Sequence, residues 1–367
     1  MKPIFLIGEA QGENEARINR GFVGATGAEL LRMLAEAGVI EFSPHDSAML
    51  RNFWATRDPW ALDSIWEGHP ELFRTNVFQL HPPSNKLEHF CGHKSLGIPG
   101  YGKLTKAGYA LATYHQQLDR LGDEILSIDP NLIVCLGNTA IWALMGSTGV
   151  TKLRGTTAVS THCVRGYKLL FTYHPSAVHR QWELRPTVVA DLSKILDEKD
   201  TPNVARPKVE IWTEPTIEDI QQFIQEHVAG RCEILSVDIE TSGTRVTCIG
   251  FAPRRDLALV IPFDDERAAS RSYWGTADAE RQCWRLVRSV LEDQSIRKVF
   301  QNGLYDIAFL IRSYGIKTRG AMEDTMLLHH ALQPESLKGL GYLGSIYTNH
   351  GPWKHERKHT DTIKRDE

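Results

Sequence analysis

Ile4-Phe5-Leu6-Ile7-Gly8-Glu9-Ala10-Gln11-Gly12 is the stretch from which the fold can be read. Pro3 to Ile7 is short and apolar and ends at Gly8, the pattern of a strand buried on both faces. A glycine at a strand end lets backbone approach a ligand, and Glu9 beside it offers a carboxylate to the cleft that strand ends create. An ordinary strand-to-loop turn reads the same way, so the neighbouring segments decide. Ala28 to Ala37 carries apolar residues at helical spacing and closes at Gly38. Lys106 to Leu126 reads as a long helix, Asn131 to Leu136 as a second buried strand stopped by Gly137, Thr139 to Met145 as a helix, and Lys168 to Thr172 as a third strand. Strands separated by helices imply a parallel sheet covered on both faces, an α/β fold.

The pattern breaks at EKDTPNVARPK, Glu198 to Lys208, which is polar and proline-containing, and then restarts. Thr216-Ile217-Glu218-Asp219 has the form of a helix cap. Ile234 to Val237 is a new strand, alternation runs from Thr247 to Ile261, and helices are expected around Ala279 to Leu291 and Asp306 to Tyr314. The expected division is a first domain over 1–197, a linker over 198–208 and a second domain over 209–367. The segment Glu41 to Leu72, rich in Trp, reads as an insertion of unreadable purpose. The tail Lys354 to Glu367 is charged with no apolar face and is expected to be loose.

Length and composition agree with two globular domains: 367 residues, 42% hydrophobic and 24% charged. No apolar run approaches the roughly 20 residues that span a bilayer. The N-terminus reads as a strand rather than a signal peptide, so no membrane contact and a cytoplasmic location are expected. The net charge of −3 does not mark a nucleic-acid binder, so any DNA contact must come from local patches. The six cysteines include no CxxC pair, which suits reduced thiols better than a disulfide framework or a zinc site.

Four further segments follow the opening strand in order: Arg20-Gly21-Phe22-Val23-Gly24-Ala25-Thr26-Gly27; Thr75-Asn76-Val77 with His81-Pro82-Pro83-Ser84-Asn85-Lys86; Leu153-Arg154-Gly155; and Tyr173-His174-Pro175-Ser176-Ala177. As an ordered set they resemble the uracil-DNA glycosylase superfamily, its family 4 branch especially, over Ile4 to Leu196. A glycosylase flips a nucleotide out of the duplex and holds its base by stacking and edge hydrogen bonds. The resemblance implies that Glu9 orients water or steadies a cationic sugar, and that His174 supports charge on the leaving base. It also implies that Phe22 stacks on the base and Asn76 reads its edge, with Gly8 and Ala10 completing the base-binding set. Ser176, Ala177, Arg180 and Asn85 would hold the DNA. Gln11 departs from the family, which has proline there. Family 4 members hold an iron–sulfur cluster through four cysteines. Here Leu80 takes the place of one ligand and Cys91 lies near another, so a cluster-free domain needing no cofactor is expected.

Val237-Asp238-Ile239-Glu240-Thr241 sets two carboxylates on one face of a strand. Such a pair repels unless a hard cation lies between, although a solvated strand end has the same pattern. Downstream, Val299-Phe300-Gln301-Asn302-Gly303-Leu304-Tyr305-Asp306 offers an Asn and an Asp one helical turn apart. These stretches, continued by Glu323 to Leu327 and Ser336 to Leu340, resemble the DEDD-type 3′–5′ exonuclease domains of polymerase I-like enzymes over Val209 to Tyr347. The resemblance implies a ribonuclease H-like mixed sheet. It implies that Asp238, Glu240 and Asp306 hold Mg²⁺ or Mn²⁺, with Asn302 orienting the strand to be cut. The family's third motif, a Tyr or His with an Asp on a late helix, has no match, since His359, Thr360 and Asp361 sit in the polar tail.

The combined expectation is a DNA glycosylase acting on uracil or a related modified pyrimidine, joined to an incomplete exonuclease domain, in DNA replication or repair. DNA is the expected partner, with a separately encoded DNA polymerase, in a viral setting by analogy. The alternative is a non-catalytic, base-sensing DNA-binding subunit that docks such a polymerase.

Overall fold

The computed structural model describes residues 2–205 and 207–349. The tail residues from 350 onward, including His359, Thr360 and Asp361, lie outside the described residues. Contacts divide the described residues into two compact units, one of 2–205 together with 344–349, the other 207–343.

The first unit begins with β1, Ile4–Ala10, and proceeds through α1 (Glu13–Ile18), α2 (Ala25–Glu36), α3 (Pro44–Thr56), α4 (Pro59–Glu67) and β2 (Leu72–Phe78). A two-residue ribbon follows, β3 (Cys91–Gly92) against β4 (Tyr109–Ala110). Then come α5 (His115–Ile128), β5 (Leu132–Leu136), α6 (Asn138–Met145), α7 (Val150–Leu153), β6 (Thr157–Val159), β7 (Lys168–Thr172), α8 (Pro175–Arg180), α9 (Arg185–Ser193) and α10 (Ile195–Glu198). The sheet order is β2-β1-β5-β7-β6, parallel except for the edge strand β6. Alternation along β1 sends Ile4 and Leu6 into one apolar core and Phe5 and Ile7 into another, so helices cover both faces.

Two local expectations change. The first strand runs past Gly8 to Ala10, because Gly8 pairs in register with Asn76 and Ala10 with Phe78. The long helix expected from Lys106 begins only at His115. Backbone at 108 approaches Gly92 so closely that a side-chain Cβ on Gly108 would meet Gly92 O at 2.3 Å, and ribbon pairing displaces helix there. The Trp-rich segment forms α3 and α4, each with proline in its first turn and a capping side chain, Ser43 and Asp58.

The second unit contains β8 (Glu210–Trp212), α11 (Ile217–Phe223), β9 (Ile234–Ser242), β10 (Arg245–Arg254), β11 (Leu257–Pro262), α12 (Ala277–Glu292), β12 (Arg297–Phe300), α13 (Leu304–Tyr314), β13 (Met322–Asp324) and α14 (Thr325–Leu332). Its order is β13-β12-β9-β10-β11-β8. The central β9-β10-β11 meander is antiparallel, while β12, β13 and β8 join in parallel, giving a mixed sheet. Thr216 caps α11 in a reciprocal box with Asp219, as its spacing predicts.

Candidate active site

In the first unit, the C-terminal ends of the parallel strands and the loops that follow them enclose a cleft of about 400 Å³. Glu9, Ala10, Phe22, Asn76, Asn85, His174, Ser176 and Arg180 all line it, although they come from stretches more than 170 residues apart in sequence. Gly8 lies against its base: a Cβ there would meet Asn76 Oδ1 at 2.3 Å and Phe22 Cζ at 2.6 Å. Ala177 does not line the cleft, and its N–H donates to His174 O at 2.8 Å within α8.

Each side chain has a local reason for its place. Glu9 is carried by β1, and Thr139 Oγ1 in the first turn of α6 donates to Glu9 Oε2 at 2.9 Å. Asn76 belongs to β2, pairs with Gly8, and is buried; its Nδ2 makes no hydrogen bond of full geometry to the described residues. An amide offers both a donor and an acceptor, which suits a site that reads a polar ligand edge. His174 is the N-cap of α8, and Ser176 N–H donates to its Nδ1 at 3.3 Å. A backbone N–H can only donate, so Nδ1 accepts and the neutral ring carries its proton on Nε2. Burial lowers the His174 pKa against the raising effect of Glu9, and Arg180 lowers it further. Behind it, buried Arg154 from the Leu153-Arg154-Gly155 segment pairs with Asp191, which also accepts from Thr172 Oγ1 at 2.8 Å and so fixes the end of β7.

Several contributors were not singled out in the sequence. Glu15 lines the cleft, and its carboxylate accepts from Gly12 N–H at 2.6 Å and from Phe22 N–H. Burial raises its pKa against those bonds, the Asn76 amide and the Arg74 charge. The Gly12-x-x-Glu15 spacing, a helix-start pattern, is the signal that could have found it. Thr139 and Trp66 carry no such signal. Gln11 is buried: its Nε2 donates to Asn19 Oδ1 at 3.1 Å and Gln79 Oε1 at 2.6 Å, and its N–H, which proline would lack, donates to Leu80 O at 3.2 Å. Leu80 is exposed; Cys91 is half-buried, accepts from Thr105 Oγ1 at 3.5 Å, and has its thiol pKa raised by burial.

In the second unit, β9 buries Leu235, Val237 and Ile239 and exposes Asp238 and Glu240 together on its other face. Asp306, in the first turn of α13, accepts from Ile239 N–H at 3.1 Å, which brings it beside that face. Partial desolvation and the charges of Asp306 and Glu240 raise Asp238 to about 6. Asp306 is also raised, by burial first and then by Asp324 and Glu240. Such mutual repulsion suits a hard divalent cation. Among the described residues, no three His, Cys, Asp or Glu side chains converge as a metal-holding group. Asn302 has a left-handed backbone (φ 59°), and the Asn302 and Gly303 N–H groups donate to Asp324 at 3.2 and 2.8 Å. Burial would raise Asp324, but these and two further backbone N–H groups outweigh it and hold the carboxyl low. Asn302 lines a separate cleft of about 530 Å³ with Tyr305, Phe309 and Arg312.

Two stretches of the chain match known families. Residues 1–197 match the family model described as uracil DNA glycosylase superfamily, and residues 210–360 match one described as 3′–5′ exonuclease. The type-4 uracil-DNA glycosylase of Sulfurisphaera tokodaii is 30% identical over 204 residues, covering 54% of this chain and 71% of that protein. The Archaeoglobus fulgidus type-4 enzyme is 25% identical over 197 residues, covering 52% and 74%. A DNA polymerase of Bacillus phage SP01 is 24% identical over 245 residues, covering 58% of this chain, which spans only 25% of that polymerase. Among solved structures, Brucella melitensis NrnC aligns with a TM-score of 0.26 and 18% identity, over 38% of this chain and 59% of that one. The chain belongs to the uracil DNA glycosylase superfamily, and the segment that follows the matched residues is similar to the 3′–5′ exonuclease family.

Proposed function

We propose that the first unit hydrolyses the N-glycosidic bond of uracil, or a related modified pyrimidine, in DNA. One observation carries this reading: Glu9, Phe22, Asn76 and His174 meet in one cleft, with Ser176 N–H and Oγ against His174 Nδ1, an arrangement that leaves Nε2 to carry the proton of a neutral ring. A flipped base stacks on Phe22 and bonds the Asn76 amide along its edge. As the C1′–N1 bond breaks, its electron pair passes to the base, and His174 Nε2–H donates to the carbonyl oxygen where that charge collects. Water adds to C1′ and gives up a proton towards Glu9, leaving an abasic site and the base anion, which takes up a proton from solvent on release as the free base. Ser176, Ala177, Arg180 and Asn85 hold the DNA strand. No cofactor enters this step, and no iron–sulfur cluster is needed for it. Formation of abasic product from uracil-containing DNA is the test, and failure with both single and double strands would remove the proposal.

The second unit, in the same reading, is an exonuclease domain using Mg²⁺ or Mn²⁺. Asp238, Glu240 and Asp306 would hold the ion, which would supply an activated water for phosphodiester hydrolysis. Asn302 would orient the strand through the turn that Asp324 fixes. The setting proposed is DNA replication or repair. The phage polymerase relative motivates a viral origin and a separately encoded polymerase as partner. Among the described residues no helix is long and apolar enough to cross a membrane, and a cytoplasmic location is proposed. A second reading, a base-sensing subunit that docks a polymerase, is favoured by one observation: Gln11, where the family has proline, is buried at the cleft and tied to Asn19 and Gln79. Metal-dependent trimming of single-stranded DNA, lost in Asp238→Ala, would decide against it.

A further inference from the structure

Phe22 has a φ of 56°, a left-handed conformation that is costly for an aromatic residue. Such a conformation persists only where its surroundings over-determine it. Here three side chains grip the turn. Glu15 accepts from Phe22 N–H; Trp66 Nε1 donates to Phe22 O at 3.0 Å; Arg74 Nε donates to Gly21 O at 2.8 Å. Trp66 is 1% exposed, and the Arg74 guanidinium lies over its ring, 5.0 Å from the centroid. Asp63, 3% exposed, fixes Arg74 in turn. Asp63 and Trp66 both come from α4, in the Trp-rich segment whose purpose was unreadable. The turn also packs tightly on the start of α2, where a Cβ on Gly27 would lie 1.8 Å from Phe22 O.

We infer that α4, through Trp66 and with Arg74 of β2, is a clamp that holds Phe22 in the strained conformation needed to receive a flipped base. Trp66 and Arg74 are positioning residues, because they touch the turn and not the cleft. The inference rests on the reading of Phe22 as the base-stacking residue. A base sliding against Phe22 meets a ring whose peptide groups are already bonded on both sides, so little ordering remains to be done on binding.

The test measures binding, not turnover. Full-length chain is titrated with an oligonucleotide carrying uncleavable 2′-fluoro-deoxyuridine and with the same oligonucleotide carrying thymidine. Trp66→Phe keeps an apolar ring while removing the N–H and part of the indole's volume. Its preference for the fluorinated uridine should fall about five- to tenfold, the scale of one lost buried hydrogen bond, with affinity for the thymidine oligonucleotide unchanged. A merely structural Trp66 would lower both affinities together or neither. Should Trp66→Phe not fold, Arg74→Lys carries the test, because it retains charge beside Asp63 and removes the guanidinium from Gly21 O; the same loss is expected. Wild-type preference preserved in the folded variant overturns the clamp. Wild-type protein without any preference instead overturns the base-stacking reading, and the clamp with it.

Discussion

Thr139 Oγ1 donates to Glu9 Oε2 at 2.9 Å, joining the first turn of α6 to the end of β1 across 130 residues of sequence. The bond fixes one oxygen of the carboxylate that faces the cleft, and Thr139 itself is buried. Thr139→Val preserves shape and removes the donor. Single-turnover excision should slow about five- to thirtyfold, corresponding to about 1–2 kcal/mol, while Thr139→Ser stays near wild type. Equal rates in all three proteins would show that Glu9 needs no such support.

His174 gives a pH signature. Its pKa is lowered, so the neutral, Nε2–H ring persists below the ordinary histidine range. Excision should therefore hold its rate as pH falls through about 6.5 and decline only below it. His174→Ala should lose at least about a hundredfold, the scale of one donor to a developing oxyanion. A rate that rises as the pH drops through 6.5 would point to a charged imidazolium instead.

The second unit should respond to metal in a pH-dependent way. Asp238 is raised to about 6 in the folded chain, above the ordinary carboxylate value. A raised carboxylate binds its proton more tightly when folded, so stability is lost as pH climbs from that ordinary value through about 6. A divalent cation relieves the repulsion. The gain in melting temperature with Mn²⁺ should be clear at about pH 7.5 and small at about pH 5. Asp238→Asn should abolish most of it. A gain independent of pH and of Asp238 would place the ion elsewhere.

Elemental analysis addresses the cysteines. Cys91 is a half-buried thiol near the position of one ligand, and Leu80 stands where another would be. Purified protein should contain no stoichiometric iron and show no visible charge-transfer band. Finding about four irons per chain would mean that ligands come from residues assigned no such role.

What could be read from the residues depended on how local each cause was. The buried runs at Ile4, Leu132 and Lys168 announced parallel strands because burial on both faces leaves a continuous apolar signature. Asp238 and Glu240 were placed on one face by alternation alone, and the structure shows them there. Glu9, Phe22, Asn76 and His174 were legible as an ordered set, although no single residue would have sufficed. The helix expected from Lys106 failed because the close approach of Gly108 to Gly92, a contact between distant residues, decides the backbone there. Thr139, Trp66 and Arg74 act on Glu9 and Phe22 through space, and their own sequence neighbourhoods carry no trace of it.

The most direct measurement incubates the purified chain with single- and double-stranded DNA bearing one uracil, in EDTA, and follows strand cleavage at the abasic site after alkali. Abasic product is expected in EDTA, unchanged by Mg²⁺, and lost in His174→Ala, because bond breaking uses only Glu9, Asn76, Phe22, His174 and water. No product from either DNA, or product that requires Mg²⁺ and survives His174→Ala, would contradict it.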